Sequence, residues 1–276
     1  MRRQVLNAAE AGDGDATVNW LRRRIAAEPQ NVEPRLQLAW HYARQGFTEL
    51  ELEHARVAVE RFPDSLEARL ALAQALRRAG QPRAAAEALE ALLASRPESQ
   101  AEVEALNLLG IAWDEAGEWP AGERAFRRAV ALAPELDFLH NNLGYNLLEQ
   151  QRAAEAIPEF QEALRRNPRS ATARNNLGVA LARSPAGGVA ESLKHFETVT
   201  DAATANSNLA AVLIEQGRYQ QSRELLAAAL DYNRAHQPAL ANLRLASELD
   251  GGPAVVRPPK RRSLLARSLG VLKKVF

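Results

Sequence analysis

Two kinds of residue recur along this chain at one spacing. Prolines stand at Pro29, Pro63, Pro97, Pro134 and Pro168, separated by 34, 34, 37 and 34 residues. Small residues stand at Ala39, Ala73, Gly110, Gly144, Gly178 and Ala210, separated by 34, 37, 34, 34 and 32. Both ladders gain three residues at one place, the junction after Pro97. Two independent markers in one register require a structural unit that repeats along the chain. A unit this short cannot bury an apolar face alone. Neighbours must stack, and stability becomes a sum over repeats.

The residues between the markers say what the unit is made of. Ala, Leu, Glu and Arg dominate, aromatics are 5% of the chain, and such residues lose little on entering a helix. In residues 137–170 the markers are Leu143, Gly144, Leu147, Ala156, Phe160, Ala163 and Pro168. They fit two helices, at about 138–150 and 153–166. Phe160 and Leu164 share one face of the second helix. Gly144 and Ala156 are expected where the two helices cross closely. Asn167-Pro168 stops the second helix, because a residue before proline is pushed out of the helical region. Residues 103–136 repeat the pattern with Leu109, Gly110, Trp113, Gly122, Phe126, Ala129 and Pro134.

This pattern resembles the tetratricopeptide repeat (TPR), and the resemblance covers residues 1–249. It implies an all-α fold, a TPR solenoid in which antiparallel helix pairs form a right-handed superhelix. The units run 1–31 (incomplete), 32–65, 66–102, 103–136, 137–170, 171–202 and 203–236, with a capping helix at 238–249. Residues 250–259 read as a linker and 260–276 as a basic amphipathic helix. Two units are irregular. The 66–102 unit has a longer exit at Glu98-Ser99-Gln100. The 171–202 unit carries Pro185-Ala186-Gly187-Gly188 between its helices and ends early near Asp201. A change of superhelix pitch and the least stable part of the stack are expected there.

Composition narrows the function. With no cysteine, disulfides, Cys-based zinc sites, iron–sulfur clusters, Cys nucleophiles and a lipidated N-terminal cysteine are excluded. The five histidines, His41, His54, His140, His195 and His236, are scattered and form no His-Glu-x-x-His. His140 reads as a packing residue. No acidic cluster has metal-loop spacing, and Gly187-Gly188 lacks the strand, lysine and hydroxyl of a P-loop. The chain therefore reads as non-catalytic, with no cofactor and no metal. The net charge of +1 hides an asymmetry: residues 251–276 hold seven basic residues and no acid, leaving residues 1–250 at −6. An acidic body does not read as a nucleic-acid binder. Met1 to Asn7 lead into acidic and glycine residues, not an apolar core, so no secretory signal is read. No apolar run is long enough to span a membrane. The expected compartment is the cytoplasm, or the periphery of the inner membrane.

The first helix of each unit is expected to line a concave face with positions two, five, six, nine, twelve and thirteen. Position six holds Gln37, Ala71, Leu108, Asn142, Asn176, Asn208 and Asn242. Four successive asparagines thus line the C-terminal half. An amide has both donors and an acceptor, so it can pair with the backbone of an extended peptide. The resemblance implies that peptide-binding role, with Phe138, Asn141, Tyr145, Asn175 and Arg183 around the ladder. A structural role, bonding to a neighbouring helix or to water, is the alternative. The basic clamp that some TPR domains use for C-terminal carboxylates is not expected, since these helices offer mainly Arg174 and Arg183.

The tail is a separate element. Pro258-Pro259 stiffens the linker. Beyond it, Leu264, Leu265, Leu269, Val271, Leu272, Val275 and Phe276 gather on one side of a helix. Lys260, Arg261 and Arg262 precede them, and Arg267, Lys273 and Lys274 lie opposite. A basic amphipathic helix suits an anionic membrane surface or a partner; a frayed tail or one more cap on the solenoid is the alternative. The reading as a whole is a scaffold that binds a protein or peptide on its concave face. Asn175 to Gly178, Asp201 to Leu209 and Gln216 to Tyr219 resemble the TPR protein of bacterial Flp (tight-adherence) pilus assembly, which implies a role in assembling a surface or secretion machine. The rivals are a peripheral membrane adaptor and a regulatory subunit of an enzyme.

Overall fold

Fourteen helices and no strand make up the described residues of this computed structural model, which are 15–94, 100–184 and 188–254. They are α1 (Ala16–Ala27), α2 (Glu33–Arg44), α3 (Thr48–Arg61), α4 (Leu66–Arg78), α5 (Pro82–Ala94), α6 (Gln100–Glu115), α7 (Trp119–Leu132) and α8 (Asp137–Glu149). There follow α9 (Ala153–Arg166), α10 (Ala171–Arg183), α11 (Val189–Val199), α12 (Ala202–Glu215), α13 (Tyr219–Tyr232) and α14 (Gln237–Asp250). Along the sequence, α2 to α13 alternate as the first and second helices of successive repeats, and α14 follows the last. The helices form two compact units, α1–α8 and α9–α14, divided between Gln150 and Gln151. Within each unit every helix packs on the next, and first helices of successive repeats also touch. The basic tail from Lys260 to Phe276 and most of the linker lie outside the described residues, as do residues 95–99 and 185–187.

The two kinds of junction are built differently. Second helices end at the proline ladder: the residues before Pro29, Pro63, Pro134 and Pro168 (Glu28, Phe62, Ala133 and Asn167) leave the helix at φ −123, −129, −141 and −133°. The next first helix often needs a new cap. The side chains of Ser65, Ser170, Asp201 and His236 accept from the opening N–H groups of α4, α10, α12 and α14, which satisfies donors that have no partner within the helix.

The turn inside a repeat instead uses a glycine in the left-handed region. Gly46, Gly80, Gly117 and Gly217 have φ between 70 and 79°. The next N–H then reaches back five residues: Phe47 to Tyr42, Gln81 to Leu76, Glu118 to Trp113 and Arg218 to Leu213, at 2.8–2.9 Å. This is the Schellman arrangement, and it satisfies end-of-helix carbonyls within the turn. In the 137–170 repeat Gln151 takes the glycine's place at φ 62°.

Phe126, Phe160 and Phe196, one per second helix in three consecutive repeats, are at most 1% exposed. Burying each contributes about 1.5–3 kcal/mol. The small-residue ladder makes room for them: the Phe126 ring lies against Gly110, and Phe196 against Gly178. In α11 the buried Ser192 hydroxyl donates to the Gly178 carbonyl at 2.6 Å. His140 is buried, and its ring nitrogen donates to the Pro134 carbonyl at 3.0 Å.

Candidate functional site

The first helix of the 137–170 repeat shows how a concave-face candidate arises locally. In α8, Leu139, Leu143 and Leu147 form the buried stripe, at 0–1% exposure. The helical period leaves Phe138, Asn142 and Tyr145 on another face. Phe138 and Tyr145 are 43% and 44% exposed, unusual for large apolar rings. Asn141 and Asn142 are half-buried between them.

The amides of the ladder are not equivalent. The Asn142 amide donates to Asn107 Oδ1 in α6 at 2.8 Å, and its own oxygen accepts from Asn141 at 3.4 Å. The Asn242 amide donates to the Ser207 carbonyl and hydroxyl in α12 at 3.3 and 3.4 Å. Both bonds span 35 residues, so each reaches one repeat back. Asn176 is engaged as well. Asn208, half-buried in α12, has no side-chain hydrogen bond to a described residue. Arg183 closes α10 by pairing with Glu215 at the end of α12, at 2.8 Å. Arg77 of α4 and Glu115 of α6 make the same kind of link at 2.8 Å. Phe138, Asn141, Asn142 and Tyr145 thus share α8 in the first unit. Asn175, Asn176, Arg183, Asn208 and Asn242 lie on α10, α12 and α14 in the second.

A cavity of about 390 Å³ opens beside Asn142 and Tyr145. Its other walls are Ile111, Asp114 and Glu115 of α6, and Trp119 and Phe126 of α7. None of the lining side chains is basic. Asp114 Oδ1 accepts from the Asn146 amide at 2.6 Å, and the same amide nitrogen lies 2.9 Å from the Trp119 carbonyl. Asn146 is fully buried; its oxygen accepts from Gln150, which also donates to Glu123. Gly122 permits this packing: a Cβ there would stand 2.2 Å from Asp114 Oδ1. Burial pushes the Asp114 carboxyl up to about 7, against the Asn146 bond and with help from Glu115 and Glu149.

Sequence reading missed Asp114, Glu115 and Trp119. Asp114 and Glu115 occupy positions twelve and thirteen of their unit, within the set expected to face inward, and Gly122, where three other repeats have Ala85, Ala156 and Ser222, was a second signal. Trp119 opens a second helix, where no concave-face rule applied.

No helix among the described residues is long and apolar enough to cross a membrane. Tetratricopeptide-repeat models match residues 70–137, 141–206 and 203–236, together more than half of the chain. A search of curated proteins finds no significant sequence match. Among solved structures, the Cut9–Hcn1 hetero-tetramer of the APC/C aligns at a TM-score of 0.61 and 17% identity, over 86% of this chain and 46% of that one. The chain thus spans less than half of that relative. A tetratricopeptide repeat protein from Parabacteroides merdae aligns at 0.59 and 14%, over 89% and 99% of the two chains. MamA aligns at 0.51 and 19%, over 68% and 94%. At these identities the likeness is one of fold, and it does not extend to the pilus-assembly resemblance. The ladders, the paired helices and the family matches agree: the chain belongs to the tetratricopeptide-repeat family.

Proposed function

We propose that this chain is a non-catalytic scaffold that binds an extended peptide or protein partner along the first helices of its repeats. Tetratricopeptide-repeat proteins mediate protein–protein interactions. The observation that carries the reading here is α8, where two exposed aromatic rings flank half-buried amides. Aromatic side chains with large contact area and few torsions are favoured anchors at interfaces. The narrower role in bacterial pilus assembly rests on sequence resemblance alone, so the proposal stays with the scaffold.

The ladder can be tested because its members differ. The Asn208 side chain has no hydrogen bond to a described residue, whereas Asn142 ties α8 to α6. With a partner captured from the source cells on the full chain, Asn208→Ala should weaken binding about two- to twelve-fold, the worth of one net hydrogen bond. Its melting temperature should stay at the wild-type value. Asn142→Ala should lower the melting temperature as well. Unchanged affinity in Asn208→Ala, Phe138→Ala and Tyr145→Ala together would remove the concave-face reading.

A further inference from the structure

The cavity beside α8 has a chemistry of its own. Three aromatic rings, Trp119, Phe126 and Tyr145, share its wall with the Asp114 carboxylate. Asp114 Oδ1 is held by Asn146, and Oδ2 accepts no hydrogen bond from a described residue. Arg77 could have neutralised this region but is committed to Glu115. At about 390 Å³ the space is at the small end of ligand sites, suited to one long side chain. A carboxylate in an aromatic-walled cavity is complementary to a flat cation. A guanidinium both pairs with a carboxylate and stacks on aromatic faces, which an ammonium does less well.

We infer that this cavity receives an arginine side chain of the bound peptide, its guanidinium on Asp114 and its flat face against the aromatic wall. The inference rests on the scaffold reading and supplies its partner chemistry: a segment that carries an arginine. The raised carboxyl of Asp114 fits a site that lacks its cation. Binding a guanidinium favours the charged carboxylate, so arginine should drive a proton off Asp114, and affinity should fall as pH drops below about 7. The charged groups acting on Asp114 are Glu115, paired with Arg77 of α4, and Glu149 of α8.

The test uses the full chain and a blocked pentapeptide with a central arginine flanked by glycine and alanine, plus versions with lysine, glutamine or glutamate at the centre. Affinity is read by calorimetry in two buffers of different ionisation enthalpy, and location by the Trp119 indole N–H resonance. Arginine should bind tightest, lysine next, glutamine and glutamate weakly, with proton release only for the cations. Asp114→Asn, which keeps the Asn146 bond, should weaken the arginine peptide about ten- to a hundred-fold and abolish the release. Tyr145→Ala, at an exposed rim residue, should cost about two- to five-fold. Equal binding of the arginine and glutamine peptides, or an unchanged Asp114→Asn, overturns the inference and leaves the scaffold reading standing. No shift at the Trp119 indole with any peptide also overturns it; the scaffold reading is then decided by the Asn208→Ala measurement.

Discussion

Gly110 and Gly178 hold the same place in their repeats but would receive a methyl group differently. A Cβ at Gly110 would lie 2.5–2.7 Å from ring carbons of Phe126, which is 1% exposed and has nowhere to retreat. At Gly178 the Phe196 ring would lie 3.2–3.4 Å away. Alanine gains about 1 kcal/mol over glycine inside a helix, while overpacking a core costs about 1–3 kcal/mol. Gly178→Ala should therefore be close to neutral. Gly110→Ala should lose about 1–2 kcal/mol, read as a lower urea midpoint at unchanged slope. Gln151 offers the opposite case. A side chain in the left-handed region costs about 1–2 kcal/mol, so Gln151→Gly should raise the melting temperature, the gain trimmed by glycine's freer unfolded state. The small-residue ladder was legible in the sequence because it shares the prolines' register. The turn glycines at 46, 80, 117 and 217 form a third ladder in that register, and nothing but attention to φ-demanding turns separates it from background glycine. Asp114 was illegible singly, since its role depends on Gly122 eight residues away and Asn146 in the next repeat.

Helices were the most legible elements. Residues 138–150 and 153–166 were expected to be helical, and α8 and α9 run Asp137–Glu149 and Ala153–Arg166. The proline signal worked because it was periodic: Pro158 lies inside α9 without ending it, at the loss of one backbone bond. The irregular 171–202 repeat has the shortest second helix, the 11-residue α11, entered from Gly188 without a side-chain cap. α9 and α13 also lack a side-chain cap but are 14 residues long, and a shorter helix opens more easily. Amides of Val189–Val199 should exchange faster with deuterium than those of α9 and α13. Equal protection across the three helices would contradict this. What stayed hidden at this scale is the split use of the asparagines, because the partner of Asn142 or Asn242 is set by helix packing one repeat back.

For the whole molecule, two half-buried groups act on stability in opposite senses. His54, stacked on Tyr42 at 5.4 Å, is pushed down to about 4 by burial, with Arg35 and Arg22 adding to it. Between about pH 4 and 6.5 the unfolded chain holds a proton there that the folded one lacks, so stability falls as pH falls through this window. Asp114, raised to about 7, holds its proton in the folded state between about pH 4 and 7, so stability falls as pH rises. The two slopes, each at most about 1.4 kcal/mol per pH unit, offset one another in the wild type. Relative to it, Asp114→Asn should lose stability more steeply on acidification from pH 6.5 to 4, and His54→Phe less steeply. Melting curves of the three proteins across that range provide the check, and parallel curves would refute the assignment. Family and helix pairing were legible at this scale because repetition averages over local irregularity. The division at Gln150 and the Arg–Glu links between repeats were not, since neither leaves a periodic trace.

The glycine turns have a kinetic consequence. Each satisfies its own carbonyls within six residues and needs nothing from distant sequence. Contacts of such short range close early, on the order of microseconds or faster. Folding can thus start independently at the 32–65, 66–102, 103–136 and 203–236 hairpins and spread to their neighbours. The 137–170 and 171–202 repeats, where Gln151 stands in place of the turn glycine and five residues separate α10 from α11, are the stretch where fronts advancing from the two ends of the array would meet.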